Sequence, residues 1–249
     1  GGYKITATTA DGNLKLSLPA HPENPRVQPP PEFRETAPAQ WPGPKPAIGI
    51  IDLGPGFSPA ATEIRPSDWL AAFQNSDLPH KHGVTVKTIS SHEQMMVALA
   101  AGPRAWFAII NPYGESFPVA GAGRWRETLD AIRHYVDSGG SWWETAAYPF
   151  YRPAFRTGDK WHTESCGSAG SGALGIPVGD GAVEDPPEPL TVTEVGRAWL
   201  GDAVASKVEN GMSAVNRGVR SAESMPALVL VSGAEDGFIG GYRLNGWGY

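Results

Sequence analysis

The chain has 249 residues, of which 41% are hydrophobic and 18% are charged, a composition that excludes a wholly disordered protein and permits a sizeable buried core. Its formal net charge of -6 comes without a basic run, so the phosphate-neutralising patch of a nucleic-acid-binding protein is missing. No stretch approaches the ~20 consecutive apolar residues of a membrane span, and the single cysteine, Cys166, excludes an internal disulfide or a zinc site with several cysteine ligands.

The amino-terminal part of the chain predicts a β-hairpin followed by a linker. Alternating residues at 3–8 and 14–18 are typical of two paired strands. Closely spaced prolines from Pro19 onward restrict the backbone to extended and turn conformations, as in a linker or a strap over a larger domain. We therefore divide the chain into this amino-terminal segment, residues 1–45, and an α/β domain, residues 46–249.

The middle of the chain alternates between strand-like and helix-like segments. Continuous apolar runs predict buried parallel strands, whereas apolar residues spaced three and four apart predict helices. The predicted strands are 47–53, 84–89, 105–110 and 141–145, and the predicted helices are 67–73, 91–99 and about 123–138. Serine or aspartate precedes the first two helices as a candidate cap, Ser67 or Asp68 and Ser90 or Ser91. This alternation predicts a doubly wound, mostly parallel, flavodoxin-like sheet with right-handed crossovers.

The last hundred residues give weaker signals. Residues 149–190 carry aromatic residues and then a stretch rich in glycine and serine, so we expect mostly long loops there. A helix is expected near 194–204, and two closing strands are expected at 227–232 and 237–244.

The segment from Tyr135 to Tyr148 contains a recognisable pattern, in which a helix ends in Gly139-Gly140 and a short strand follows. This pattern resembles the class I glutamine amidotransferase-like superfamily, in particular its trehalose-utilisation-like and biotin-ligase-N-terminal-like branches. The resemblance covers roughly residues 46–148. It implies a flavodoxin-like fold in which the strand delivers a nucleophile at a sharp elbow.

The sequence departs from that superfamily at the nucleophile. Aligning the double glycine places Glu144 where the glutaminases have a cysteine. The late His-x-Glu pair of the triad is also missing, because His162 is the last histidine of the chain. A carboxylate does not replace a thiolate in attack on an unactivated amide, so we expect no glutaminase activity.

The carboxyl ends of the predicted strands supply the candidate site, because ligands of open α/β sheets bind beyond those ends. The candidate catalytic residues are Glu144, Glu115, His92 and His162. The candidate ligand-binding residues are Asp52, Asn111, Tyr113, Trp143, Thr145 and Tyr148. Burial beside two tryptophans would raise the pKa of a strand-end glutamate and equip it as a general acid or base.

Each of these residues also has a structural alternative. Glu144 could accept N–H groups at the start of a following helix, and Asp52 could form a turn. Glu115 is expected to face solvent, as loop glutamates usually do. His162 lies in a segment that is expected to be a surface loop.

No metal or cofactor is predicted. His80 and His82 form a His-x-His pair, but they precede the second strand and therefore lie at the amino edge of the sheet, without a third ligand nearby. The aromatic residues after the predicted elbow offer stacking surfaces for a sugar ring as well as core packing.

Three functions remain open. The first is an amidotransferase-like domain without glutaminase activity that binds a small or carbohydrate ligand at the carboxyl edge of its sheet. The second is a hydrolase of glycosides or esters with Glu144 as acid or base. The third is a non-catalytic assembly module, with neighbouring domains or a second copy of the chain as partner. The composition, rich in proline, glycine and tryptophan, favours an exported protein of carbohydrate metabolism.

Overall fold

The computed structural model describes residues 5–8, 15–18, 45–57, 65–145, 148–176, 190–211, 228–232 and 238–241. Its helices are α1 (Pro66–Gln74), α2 (Asp77–His82), α3 (His92–Ala101), α4 (Trp125–Asp137), α5 (Ser168–Ala173), α6 (Glu194–Leu200) and α7 (Asp202–Gly211). Its strands are β1 (Ile5–Thr8), β2 (Lys15–Leu18), β3 (Ala47–Ile51), β4 (Thr85–Ile89), β5 (Trp106–Asn111), β6 (Ser116–Pro118), β7 (Ser141–Glu144), β8 (Arg152–Thr157), β9 (Lys160–Thr163), β10 (Thr191–Val192), β11 (Leu228–Ser232) and β12 (Phe238–Gly241). No helix of the described ranges is long and apolar enough to span a membrane.

A four-stranded parallel sheet forms the centre of the fold, in the order β4-β3-β5-β7. The first strand of this sheet in the chain, β3, lies inside the sheet. The next strand, β4, pairs with one side of β3, and β5 pairs with the other side and is followed outward by β7. This order confirms the predicted flavodoxin-like α/β architecture. It also places the point where the strand order reverses between β3 and β5.

Helices cover both faces of this sheet, as a doubly wound fold requires. On one face, Met95 and Leu99 of α3 and Leu129 and Ile132 of α4 pack into the larger apolar core. On the other face, the short helices α1 and α2 pack against a smaller cluster formed by β3 and β5. The larger apolar core therefore lies between the sheet and helices α3 and α4, and the smaller one lies between the sheet and helices α1 and α2.

Two predicted helix starts can be compared with the structure. Helix α3 begins after Ser91, whose hydroxyl accepts the N–H of Gln94, so the predicted cap is confirmed. Helix α1 begins earlier than predicted, after Arg65, because Pro66 occupies its first position and Asp68 accepts the Arg65 N–H. Proline is favoured at that position, since its fixed φ suits a helix and its missing N–H is not needed there.

The expectation of long loops at 149–190 is wrong for the described part of that range. Strands β8 and β9 form an antiparallel pair, and β8 also pairs in parallel with β6. Helix α5 follows, although its sequence, SAGSGA, has low helix propensity. Helix α5 packs closely against the backbone at Phe150, because Gly170 has no side chain there. A Cβ atom on residue 170 would be 1.9 Å from the carbonyl oxygen of Phe150.

The end of the described chain forms a further cluster with its own apolar contacts. The single helix expected near 194–204 is two helices, α6 and α7, because Gly201 ends the first with a φ of 76°. The two closing strands are present as β11 and β12, but β11 pairs antiparallel with β12 on one side and with β10 on the other, in a sheet separate from the parallel one.

The amino-terminal hairpin is confirmed by the antiparallel pairing of β1 with β2. The proline-rich linker lies outside the described residues up to position 44. His80 and His82 lie on α2, where both are exposed, and α2 precedes β4 as expected for residues at the amino edge of the sheet.

Candidate functional site

The carboxyl ends of three adjacent central strands carry the polar residues of the candidate site. Asp52 follows β3, Asn111 ends β5 and Glu144 ends β7. Asn111 and Glu144 are register partners on neighbouring strands, so their side chains begin at the same height of the sheet. These residues are far apart in the chain, and the parallel arrangement of their strands places them at the same edge of the sheet.

Glu144 is the most perturbed ionisable group of this edge. Its Oε2 accepts a hydrogen bond from Trp142 Nε1 at 2.7 Å, its Oε1 accepts the N–H of Phe150 at 3.4 Å, and the Asn111 side chain also binds it. Burial of the carboxyl group outweighs these three donors and raises the pKa of Glu144 to about 8. The side chain is therefore mostly protonated and neutral at pH 7.

A chain of hydrogen bonds leads from Glu144 to the switch point between β3 and β5. Asn111 Oδ1 accepts the N–H of Tyr113 at 3.3 Å, and the Tyr113 hydroxyl accepts the N–H of Leu53 at 2.7 Å. That hydroxyl also binds the carboxylate of Asp52. Because Tyr113 is buried, the pKa of its hydroxyl is raised to about 12, and it remains a hydrogen-bond donor at neutral pH.

Phe150 adopts a left-handed conformation, with a φ of 58°, beside Glu144. Such a conformation costs a non-glycine residue about 1–3 kcal/mol and persists only when its surroundings impose it. Here the Phe150 N–H donates to Glu144, and its carbonyl accepts the thiol of Cys166 at 3.1 Å. Burial raises the pKa of the Cys166 thiol, so this sulfur lacks the thiolate character of a nucleophile.

Two of the candidate catalytic residues have partners outside this chain of hydrogen bonds. Glu115, expected to face solvent, is instead buried, and its Oε1 lies 2.8 Å from Nε of Arg152. His92 Nε2 lies 3.1 Å from the hydroxyl of Thr128 on α4. Burial, the largest influence, lowers the pKa of His92, which keeps the imidazole neutral.

Two further candidates also lie apart from Glu144. His162, expected in a surface loop, lies on β9, where its exposed ring stacks on Phe155 with the centroids 5.4 Å apart. Trp143 lies on the opposite face of the sheet from Trp142, against Phe73 of α1, with the ring centroids 6.0 Å apart. Successive strand residues point to opposite faces, so only one of the two tryptophans can accompany Glu144.

Thr145 and Tyr148 follow Glu144 along the chain. The hydroxyl oxygen of Thr145 is buried and has no hydrogen-bond partner among the residues that the structure describes. Tyr148 packs on Tyr151, with the ring centroids 5.5 Å apart. An unpaired buried hydroxyl costs stability, so a group that pairs with it would gain binding energy.

Trp142 and Trp161 belong to the aromatic residues that were considered as stacking surfaces for a sugar ring, but they and Phe57 were not among the candidate site residues. Trp142 shares the face of Glu144, and the two-residue period of a strand is the signal that identifies it. Phe57 contacts Tyr113 at 4.6 Å and Trp161 at 5.0 Å between ring centroids, and of these three rings Tyr113 binds Asp52 through its hydroxyl. The contact with Trp161 comes from a distant strand, β9, which no local pattern reveals.

The described residues that follow Glu144 determine what its carboxyl group accepts. The described residues between β7 and β8 contain no helix, so Glu144 does not accept N–H groups at the start of one. It accepts the N–H of Phe150 in a turn instead. This buried carboxyl is therefore held by one indole, one amide side chain and one backbone donor.

No group of three or more histidine, cysteine, aspartate or glutamate side chains in the described ranges is placed to hold a metal ion. A cavity of about 270 Å³ lies at the opposite, amino edge of the sheet, between the ends of α3 and α4, where Arg104 and His134 line it. It is therefore separate from the residues at the carboxyl edge.

A scan against protein-family models and searches of curated proteins and of solved structures find no match to this chain.

Proposed function

We propose that this domain binds a small polar ligand of the carbohydrate class at the carboxyl edge of its parallel sheet, and that it has no glutaminase activity. The observation that carries the proposal is the hydrogen-bonded series Asp52, Tyr113, Asn111 and Glu144, which crosses the point where the strand order reverses. Ligands of doubly wound sheets bind at that point, because the loops beyond the strands diverge there and leave a crevice.

The chemistry of the edge supports a sugar more than an apolar ligand. Asp52 is half-buried, and the hydroxyl of Thr145 has no partner within the described ranges, so both offer hydrogen-bonding capacity. Trp161, which contacts Phe57, and Tyr148, which contacts Tyr151, are half-buried aromatic residues. Polar groups that fix orientation, together with aromatic surfaces for C–H faces, are the combination that sugar rings require.

The absence of glutaminase activity is supported by the state of the single thiol. The Cys166 sulfur donates to two backbone carbonyls, those of Phe150 and Tyr151, and burial raises its pKa. A cysteine nucleophile needs a lowered pKa and an adjacent base. An amidotransferase-like ancestry therefore remains a proposal about fold, without the superfamily's chemistry.

The test is a titration of the protein with monosaccharides, in which binding is measured by tryptophan fluorescence and by calorimetry. Thr145→Val removes the unpaired hydroxyl at nearly constant volume and should weaken binding while leaving stability equal or higher. Thr157→Val, at an exposed position of β8, is the matched control and should change neither quantity. Equal affinities of wild type and Thr145→Val would argue against the site, and failure of every sugar to bind would refute the proposal.

A hydrolase with Glu144 as general acid is a second proposal, and the raised pKa of about 8 favours it, since it keeps the acid protonated at neutral pH. Its catalytic partner would have to be Asp52, because Glu115 and His92 are held by Arg152 and Thr128. Turnover of nitrophenyl glycosides or esters by the wild type, abolished in Glu144→Gln, would support it.

An assembly module is a third proposal, favoured by the burial of Asn111, Tyr113 and Glu115, which are 0%, 2% and 7% exposed. A module whose edge is filled by its own side chains binds no sugar. Sedimentation measurements that show self-association, together with no saccharide binding, would favour this function over the first.

A further inference from the structure

The cavity at the amino edge of the sheet is lined by two basic side chains. It has a volume of about 270 Å³, and its lining includes Arg104, from the turn after α3, and His134, from the last turn of α4. In the ranges that the structure describes, neither side chain forms a hydrogen bond or an ion pair. No aspartate or glutamate of these ranges lines the cavity. Both basic groups can therefore bind a ligand without first leaving a protein partner.

The turn that carries Arg104 is held in place by its backbone. Gly102 ends α3 with a φ of 73°, a conformation that favours glycine. Its N–H donates to the carbonyl of Leu99 at 3.1 Å, and its own carbonyl accepts the N–H groups of Ala105 and Trp106, both at 3.0 Å. The backbone is thus hydrogen-bonded on both sides of Arg104, so a ligand does not have to order this turn when it binds.

The other side of the cavity is formed by the end of α4, which is fixed to the sheet. The hydroxyl of Tyr135 donates to the carbonyl of Trp106 at 2.7 Å, and this contact joins α4 to the first residue of β5. The carbonyl of Tyr135 also accepts the N–H of Gly140 at 3.0 Å. Tyr135 and Leu99 are buried and give the cavity an apolar part. His134 therefore lies on a helix end that does not have to rearrange for binding.

The carboxyl ends of the two helices explain only part of this arrangement. Helices α3 and α4 both end at the cavity, and the helix macrodipole favours basic residues at such ends. That attraction acts on the charge and provides no acceptor for the side-chain N–H groups. An arginine has five N–H donors, and an imidazole has at least one in either protonation state. An anion that displaces water from these donors would be bound by both side chains.

On this basis we infer that the cavity is a second binding site, for a small organic anion with a carboxylate or phosphate group. Arg104 and His134 bind the anionic group, because charge-assisted hydrogen bonds to a guanidinium are strong and directional. The apolar part of the ligand contacts Leu99 and Tyr135. The cavity is smaller than the ~300–1,000 Å³ pockets of drug-sized ligands, so its ligand is a small molecule. This site is separate from the carboxyl edge and does not depend on the proposed carbohydrate binding.

The experiment titrates the whole, ¹⁵N-labelled protein with three aromatic probes and follows its amide signals by nuclear magnetic resonance. Benzoate and phenyl phosphate carry an anionic group on a phenyl ring, and benzamide carries a neutral one. At least one of the two anions should bind at least about tenfold more tightly than benzamide, because charge-assisted hydrogen bonds are the stronger ones. The amides of Gly102, Arg104 and Ser138 line the cavity and should shift most. The comparison of benzoate with phenyl phosphate identifies the preferred anion, and inorganic phosphate tests the anion without a ring.

Variants then assign the preference to Arg104. Arg104→Gln removes the guanidinium at an exposed position, so the anions and benzamide should bind with similar affinity. Arg126→Gln makes the same change at an exposed position in the first turn of α4, about 12 Å along the helix from His134, and should leave the preference unchanged. Circular dichroism establishes that both variants are folded.

Equal binding of benzamide and the two anions by the wild type overturns the inference, and so does a preference for anions that survives in Arg104→Gln. Shifts that avoid Gly102 and Ser138 place the probes elsewhere and also overturn it. If inorganic phosphate binds as tightly as phenyl phosphate and benzoate, the apolar lining contributes nothing and the assignment of an organic ligand is wrong. If Arg104→Gln does not fold, the wild-type comparison of the anions with benzamide and the location of the shifted amides still decide.

Discussion

Replacing Glu144 by glutamine should change how the stability of this protein depends on pH. In the folded protein, burial raises the pKa of Glu144 from its ordinary value of 4.5 to about 8. Between these two values the unfolded chain releases a proton that the folded chain retains, so rising pH favours unfolding. The stabilising contribution is fully present below pH 4.5 and is lost as the pH rises through about 8.

The size of the effect follows from that interval. Each pH unit between the two pKa values contributes about 1.4 kcal/mol, so the whole interval corresponds to about 5 kcal/mol and the part below pH 7 to about 3 kcal/mol. Glutamine cannot titrate, and it keeps an oxygen acceptor for Trp142 or Phe150. Relative to the wild type, Glu144→Gln should therefore gain stability as the pH rises from 4.5 to 8.

Urea unfolding followed by tryptophan fluorescence measures this difference at several pH values. The difference between the two unfolding free energies is the informative quantity, because every other titrating group contributes equally to both proteins. Glu194→Gln makes the same chemical change at an exposed position of α6 and should give a curve parallel to the wild type. Parallel curves for wild type and Glu144→Gln would show that Glu144 is ionised in the folded protein and would refute the reasoning.

Three further outcomes are expected. His92→Gln should flatten the loss of stability as the pH falls below 6.5, because the folded His92 has a lowered pKa and resists the proton that the unfolded chain accepts; a slope equal to that of the wild type would contradict this. Neither the wild type nor Glu144→Cys should release ammonia from glutamine above a heat-killed control. EDTA should leave the melting temperature unchanged, and a drop that one metal restores would show that His80 and His82 bind it.

The parallel sheet could be predicted because its signals are local. The apolar run that forms β3 and the capped, periodic segment of α3 each specify their own structure within a few residues. The fixed hand of the crossovers then determines on which face of the sheet each connecting helix lies. Once the strands are known, the topology alone places Asp52, Asn111 and Glu144 at one edge.

The sheet formed by β6, β8 and β9 could not be predicted from the sequence, because its strands depend on distant partners. Strand β6 has only three residues, and it pairs with β8 more than thirty residues later. The glycine- and serine-rich sequence of α5 has low helix propensity, and the close approach of Gly170 to Phe150, which favours the helix, exists only in the folded chain. Tertiary contacts therefore override the local preference in this region.

The side-chain contacts of the candidate site also could not be predicted from the sequence. Topology identifies the edge, but it does not say which polar groups are already paired with each other. Arg152, which binds Glu115, lies on β8, a strand that the sequence did not predict. Thr128, which binds His92, lies on the predicted helix α4, but this contact depends on how α3 and α4 pack together. The partition of the four catalytic candidates into different clusters thus required the folded structure.

Burial raises the pKa of both the Glu144 carboxyl group and the Cys166 thiol, but the consequences for their reactivity are opposite. A thiol acts as a nucleophile when it is ionised, and a buried, uncompensated environment disfavours that form, as the raised pKa of Cys166 shows. A carboxyl group in the same kind of environment becomes neutral, and as a neutral acid it can donate a hydrogen bond or a proton at pH 7. A cysteine placed at position 144 would meet the same desolvation that raises the pKa of Glu144, so its thiol would be protonated and slow to attack. The surroundings of β7 therefore favour an acid over a thiolate nucleophile, independently of any missing histidine.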